Sequence, residues 1–159
     1  MISATFTGMI ITSFEDALAA QVTLTAFIPM LMDTGGNSGS QASVTVIRGL
    51  SLGEIEFVDI FKVMWKEIRV ALMCGVTLAI ANFAKLMLFD QVGLWVSLVV
   101  CLTLIVTVFF FFFIGCVLPM LAKKVGFDPA VMASPFITTA VDAISLIVYF
   151  QIATLLLGI

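Results

Sequence analysis

A polar, glycine-rich stretch enclosed by apolar sequence is the feature that most limits what this chain can become. Residues 29–48 read Pro-Met-Leu-Met-Asp-Thr-Gly-Gly-Asn-Ser-Gly-Ser-Gln-Ala-Ser-Val-Thr-Val-Ile-Arg, with membrane-like sequence on both sides. Hydrocarbon offers backbone groups no water, so polar or irregular backbone survives there only beside a cavity, an ion path or another packed helix. At helical spacing Asp33, Asn37 and Gln41 fall at i, i+4 and i+8, which is one face. Gly35, Gly36 and Gly39 lie among them and permit either close backbone approach or an unwound turn with free carbonyls. The first option would use Gly35-x-x-x-Gly39 as the small-residue spacing that lets two membrane helices touch. The second would offer carbonyls to a cation. Spacing alone leaves both open.

Composition supplies the setting. Of 159 residues 62% are hydrophobic and 11% charged, and the mean hydropathy is +1.26. Soluble domains carry roughly a quarter charged residues, so the expectation is a polytopic, all-α membrane protein in contact with lipid. The net charge of −3 says little about partners, and no nucleic-acid partner is expected. The chain has no His, and Cys74, Cys101 and Cys116 form no C-x-x-C pair. Zinc and soft-metal sites are therefore not expected, and the cysteines read as small apolar packing residues.

Five crossings fit the chain, read as one domain over 1–159, with a short interfacial helix between the second and third. Residues 1–12 are apolar but reach only about 18 Å as a helix, short of the roughly 20 residues a crossing needs. No basic region precedes them, so a signal peptide is not expected. They read as the outer part of a first helix whose beginning lies outside this chain. Glu15-Asp16 marks an interfacial turn, and a second helix follows over 17–50, long enough for a break near the glycines. Over 51–67, Ile55, Val58, Phe61 and Trp65 share a face away from Glu56, Asp59, Lys62 and Lys66, the pattern of a helix lying in the interface. Residues 68–89 make the third crossing, with Asp90-Gln91 as an outer turn. Residues 92–121 make the fourth and include five consecutive phenylalanines, 109–113, which must present some rings to lipid. Gly126 suits a helix C-cap and Asp128-Pro129 a helix start. The fifth crossing occupies 130–157.

Basic residues orient the bundle. With the second helix descending to the cytoplasm, Arg48, Lys62, Lys66, Arg69, Lys123 and Lys124 fall inside. Glu15, Asp16 and Asp90 fall outside, and only Lys85 approaches the outer interface. This positive-inside pattern predicts a multi-pass cell-membrane protein with its C-terminus outside.

The fifth helix carries Ser134, Thr138, Asp142, Ser145 and Tyr149 at steps of four, four, three and four, one continuous face. Asp142 lies about 20 Å along that helix, near mid-membrane. An intramembrane carboxylate marks an ion or proton route by default. The alternative is a protonated Asp hydrogen-bonded between helices. The second and fifth helices thus each offer a polar face and would line a common path. No nucleophile–base pair or phosphate-binding loop is evident, so catalysis is not expected.

At these two stretches the sequence resembles the membrane domain of the MgtE family of magnesium channels. The likeness rests on Pro29, Gly35-Gly36-Asn37-Ser38-Gly39-Ser40-Gln41 and Arg48, then on Asp128-Pro129-Ala130, Pro135-Phe136-Ile137-Thr138-Thr139 and Asp142. The resemblance spans essentially the whole chain. It implies a homodimer with five helices per subunit and a pore on the dimer axis, lined by the second and fifth helices. Mg²⁺ is then the transported ion, held in the pore by Asp142, with Thr138 one turn earlier and Asn37 of the glycine motif. Gly36, Asp33 and Ser134 complete the candidate set. Mg²⁺ sheds water reluctantly, so two Asp142 carboxylates across a two-fold axis would hold a largely hydrated dication, with hydroxyls and carbonyls bonding its outer waters. Asp33 stands where the family is expected to carry a small or apolar residue. The family's cytoplasmic helical domain and paired CBS modules lie outside this sequence, which leaves a membrane-only relative or an excised pore domain.

Two other classes use the same residues. Asp33-Thr34-Gly35 matches the triplet of aspartic proteases, which place it in a soluble β fold. An intramembrane aspartyl protease would pair Asp33 with Asp142, but Asp142 follows Thr-Ala-Val rather than Gly-x-Gly. A carrier coupling the cation to H⁺ or Na⁺ is not separable from a channel at this level.

Overall fold

A helix that is apolar on every side has no face to give to water, so it belongs where protein and lipid surround it. That helix is α5 (Leu94–Lys124), and the others are arranged around it: α3 (Ile28–Ser51), α4 (Ile60–Leu88) and α6 (Pro129–Leu157) each pack along it, and α3 also packs on α6. The computed structural model describes residues 2–158, and the side chains of all of these except 2–4, 132–136 and 138. Every regular element among the described residues is helical. Short helices α1 (Ile2–Ser13) and α2 (Glu15–Ala20) lie against α6, where the Phe14 ring stacks on Phe150 at 4.7 Å between centroids.

Among the described residues three helical stretches, Phe57–Leu88, Leu94–Lys124 and Thr139–Leu157, are long and apolar enough to cross a membrane. Helix α4 leaves Leu72, Met73, Val76, Ile80 and Leu88 exposed along its outer side. An apolar surface that long would aggregate in water and suits lipid. With the helical content this makes the chain an all-α membrane protein. The phenylalanine run divides as its density requires: Phe111 and Phe112 are buried, while Phe110 and Phe113 are exposed.

The expected break at the glycines is not observed. Helix α3 runs unbroken from Ile28 to Ser51, and the interruption lies earlier, at a non-helical Gln21 followed by a 3₁₀ segment, Val22–Phe27. Pro29 explains the position. Proline lacks the N–H that a helix interior needs but loses nothing in the first turn, so it starts α3 there. The glycines stay helical because Gly35 and Gly39 are buried against α5 and α6, and packing outweighs their poor propensity. A separate interfacial helix is likewise absent. After a 3₁₀ turn at Phe57–Asp59, residues 60–67 form the first turns of α4 itself. Nothing in 60–67 breaks a helix, so it propagates into the crossing. The amphipathic pattern persists, with Val58, Phe61 and Trp65 exposed.

Chain reversals follow their local chemistry. Asp128 Oδ1 accepts from Ala130 N at 2.9 Å to cap α6, and Gly126 holds φ +83° after α5. Lys85 pairs with Asp90 at 2.7 Å across the turn after α4. Lys123 Nζ donates to Leu50 O at 2.9 Å, satisfying a carbonyl near the end of α3.

The 3₁₀ segment is held from far away. Tyr149, fully buried on α6, donates its hydroxyl to Leu24 O at 2.9 Å. In an apolar interior an unpaired carbonyl is costly, and Tyr149→Phe removes the partner without changing shape. We expect that substitution to destabilise the fold by about 1–2 kcal/mol, read as a lower thermal midpoint in detergent. An unchanged midpoint would show that the bond does not hold the segment.

Candidate functional site

Helix geometry sorts the residues of α3 before any ligand is considered. At about 100° per residue, Gly35, Gly39, Ala42 and Val46 lie roughly opposite Asp33, Asn37 and Ser40. The first set is buried, and the second is exposed. The small residues allow close approach: a Cβ on Gly35 would lie 2.9 Å from the Phe111 ring, and one on Gly39 would lie 2.9 Å from Ile137. Of the two uses that spacing left open for the glycines, the structure adopts helix packing. Seating α3 this closely turns its polar side towards the groove beside α6.

There Asp33, Gly36, Asn37 and Asp142 line one open cleft of about 300 Å³, together with Met32 and Ser40. Asn37 Nδ2 donates to Asp33 Oδ2 at 3.1 Å, so the two side chains share the face that their spacing predicts. Asp142 is half-buried on the opposite wall. A second hollow of about 360 Å³ continues along the same groove, lined by Ser40, Ser43, Val44, Ile47, Arg48, Ala130 and Ile137. The two meet at Ser40. Chemically, the first hollow offers two carboxylates, a carboxamide and a hydroxyl, all oxygen donors suited to a hard, hydrated cation.

Four of the six candidate residues are thus brought together. The side chains of the other two, Ser134 and Thr138, lie outside the described residues. Gln41 is exposed but does not line the cleft. Ser40 and Met32 were not among the candidates, although Ser40 sits one turn after Gly36 and three residues after Asn37, a spacing that could have flagged it.

The polar stripe on α6 is not one continuous lining. Ser145 and Tyr149 are buried inside the subunit rather than facing the cleft. The cause is their neighbours. Gly35 lets α3 lie over Ser145, and the 3₁₀ segment covers Tyr149 and takes its hydrogen bond. The cysteines are free, with Cys101 and Cys116 buried, and the Cys101 thiol approaches Ala79 O at 3.4 Å. They pack helices, as their isolation in the sequence suggests.

Residues 28–152 match the family model MgtE, described as a divalent cation transporter. The stretch contains the whole of α3 and all four cleft residues among the candidates. Three curated relatives carry the name magnesium transporter MgtE. The one from Thermus thermophilus is 35% identical over 151 residues, covering 95% of this chain and 33% of its own length. The one from Bacillus subtilis is 35% identical over 147 residues, covering 92% of this chain and 32% of its own. The one from Enterococcus faecalis is 28% identical, covering 98% and 35%. The chain spans about a third of the length of these relatives. A polar cleft between two helices, in a chain matched over most of its length, places it plainly: this chain belongs to the MgtE family of divalent cation transporters.

Proposed function

We propose that this chain is the ion-conducting membrane unit of a magnesium transporter, a single domain over 1–159 that passes largely hydrated Mg²⁺. The observation that carries the reading is the convergence of Asp33, Asn37 and Asp142 on one open cleft between α3 and α6. The names of the relatives support Mg²⁺ as the substrate. Helices α3, α4, α5 and α6 make four of the five crossings, α1 contributes to the first, and α3, at 24 residues, reaches about 36 Å, enough to span hydrocarbon.

A polar cleft open at membrane depth is costly against lipid. A second copy facing it across a two-fold axis would enclose it, making a homodimer with a pore lined by α3 and α6 of each subunit. Two Asp142 carboxylates then form a doubly negative ring. Thr138 and Ser134 hydroxyls, the Asn37 carboxamide and the space at Gly36 accommodate the ion's water shell. Asp33 adjusts the field at the lip. Monovalent ions neutralise less of that charge and are disfavoured. Arg48, Lys62, Lys66, Arg69, Lys123 and Lys124 gather at the end of the bundle where α3 and α5 finish and α4 begins. That end faces the cytoplasm, with the C-terminus of α6 outside.

Purified protein in liposomes tests this, with Mg²⁺, Ca²⁺, Na⁺ and a pH gradient varied independently. Mg²⁺ flux without dependence on Na⁺ or pH is the expected result. Flux that requires either gradient identifies a coupled carrier. Cysteines placed one at a time over 134–142, in a background lacking the native three, should cross-link two copies with helical periodicity. Conduction by protein that stays monomeric would rule out the shared pore.

A further inference from the structure

We infer that a groove beside the start of α4 seats the headgroup of an anionic phospholipid from the leaflet on the basic side of the bundle. The groove has a volume of about 360 Å³ and is lined by Lys62, Lys66 and Arg69, with Ile55, Val63 and Trp65 as its apolar wall. The three basic residues follow at i, i+4 and i+7, one face of a helix. All three are exposed and make no ion pair among the described residues. Two acids, Glu54 and Asp59, share the lining. Asp59 is already committed, since its Oδ2 accepts from Glu56 N at 3.1 Å to start the helix. Other basic residues nearby are engaged, Lys123 on Leu50 O and Lys124 over the Phe57 ring at 4.1 Å. Three cations therefore face one hollow, and Lys66 also attracts the buried Glu67 carboxylate beside it.

Its surroundings select a lipid over a soluble anion. Val58 in the 3₁₀ turn is 81% exposed, and Phe61 and Trp65 in the first turns of α4 are 80% and 66% exposed, beside the basic residues. Large apolar side chains so exposed at the end of a membrane bundle sit at the level of the headgroups and upper acyl chains. Lysine and arginine stems lie along such apolar surface and lift their charges to phosphate height. A cationic rim over an apolar wall complements a phosphate above its glycerol and acyl carbons. Juxtamembrane basic residues each favour anionic lipid by about fivefold. Three would give about a hundredfold, which Glu54 and Asp59 reduce to an expected preference of roughly tenfold.

Trp65 reports on the groove directly once Trp95, the other tryptophan of the chain, is replaced by W95F. Protein reconstituted in phosphatidylcholine vesicles receives brominated phosphatidylglycerol or brominated phosphatidylcholine at matched mole fractions. Trp65 should be quenched at roughly tenfold lower mole fraction by the phosphatidylglycerol, and K62Q/K66Q/R69Q should abolish the difference. The charge-conserving K62R/K66R/R69K should retain it, which separates lost charge from lost folding. Soluble glycerol phosphate should not relieve the quenching. Equal quenching by both lipids, or a preference that survives in the triple Gln variant, overturns the proposal. Full relief by glycerol phosphate does so too, assigning the groove to a soluble anion.

Discussion

Asp142→Asn is expected to weaken Mg²⁺ binding by at least roughly a hundredfold while leaving the fold intact. The substitution preserves volume and most hydrogen-bonding capacity and removes only charge, once per subunit. A carboxylate that holds Mg²⁺ through a first-shell water lies about 5 Å from the ion. Even with the dielectric of bulk water, one unit charge against a dication at that distance is worth about 1.7 kcal/mol. In the proposed homodimer the two carboxylates together are worth about 3 kcal/mol, which converts to the stated loss of affinity. Liposome flux should fall steeply, and the rise in thermal midpoint expected of the parent protein on adding Mg²⁺ should be lost. Unchanged flux through well-folded Asp142→Asn protein removes Asp142 from the ion path. Asp33→Asn should be milder, because Asp33 shares its charge with Asn37 at 3.1 Å and is exposed at the lip of the cleft. An intramembrane protease makes the opposite forecast: its two carboxylates share a proton and activate one water, so both substitutions abolish activity alike.

Gly115→Ala should be the most destabilising single-methyl change in the bundle. A Cβ at Gly115 would press on the Gly39 carbonyl oxygen and come within 3.0 Å of Ala42 Cβ. Neither neighbour is a side chain that can rotate away, so α3 and α5 must separate along their contact. Overpacking of this kind costs about 1–3 kcal/mol, and with backbone as the obstacle the upper half of that range is expected. The thermal midpoint in detergent should drop by roughly 5 °C or more. Because α3 is also one wall of the cleft, Mg²⁺-dependent stabilisation should weaken alongside. Gly36→Ala is the matched control. Its nearest neighbour would be Val141 Cγ1 at 4.0 Å, and alanine is the better helix former by about 1 kcal/mol. Stability should hold or rise there while the methyl narrows the cleft. A Gly115→Ala protein that melts with the parent would show that the two helices are not in the close contact described.

Much of the molecule was readable because helices impose a local rule. The 3.6-residue period puts Asp33 and Asn37 on one face whatever surrounds them, and the hydrogen bond between them reflects that. Asp128-Pro129 and Gly126 mark the end of one helix and the start of the next through their own backbone preferences. Hydropathy alone requires a membrane, since no water-soluble packing could cover the outer side of α4.

The remainder depended on which helix lies beside which. Periodicity relates residues within a helix but not to the neighbour that covers them, so Asp142 and Ser145 looked equivalent on α6. Only the close seating of α3 at Gly35 buries Ser145 and leaves Asp142 on the cleft. Tyr149 similarly read as part of a polar lining until its hydroxyl found Leu24 O, 125 residues away in sequence. The glycines allowed either a break or a contact, and the choice was made by Phe111, Ile137 and Gly115, all on other helices. The sequence by itself determined the elements and their polar faces, because these follow from nearest-neighbour backbone and side-chain chemistry. Tertiary packing decided the rotation of each helix and which polar atoms remained for an ion, because the close contacts at Gly35, Gly39 and Gly115 fix which face of each helix is covered.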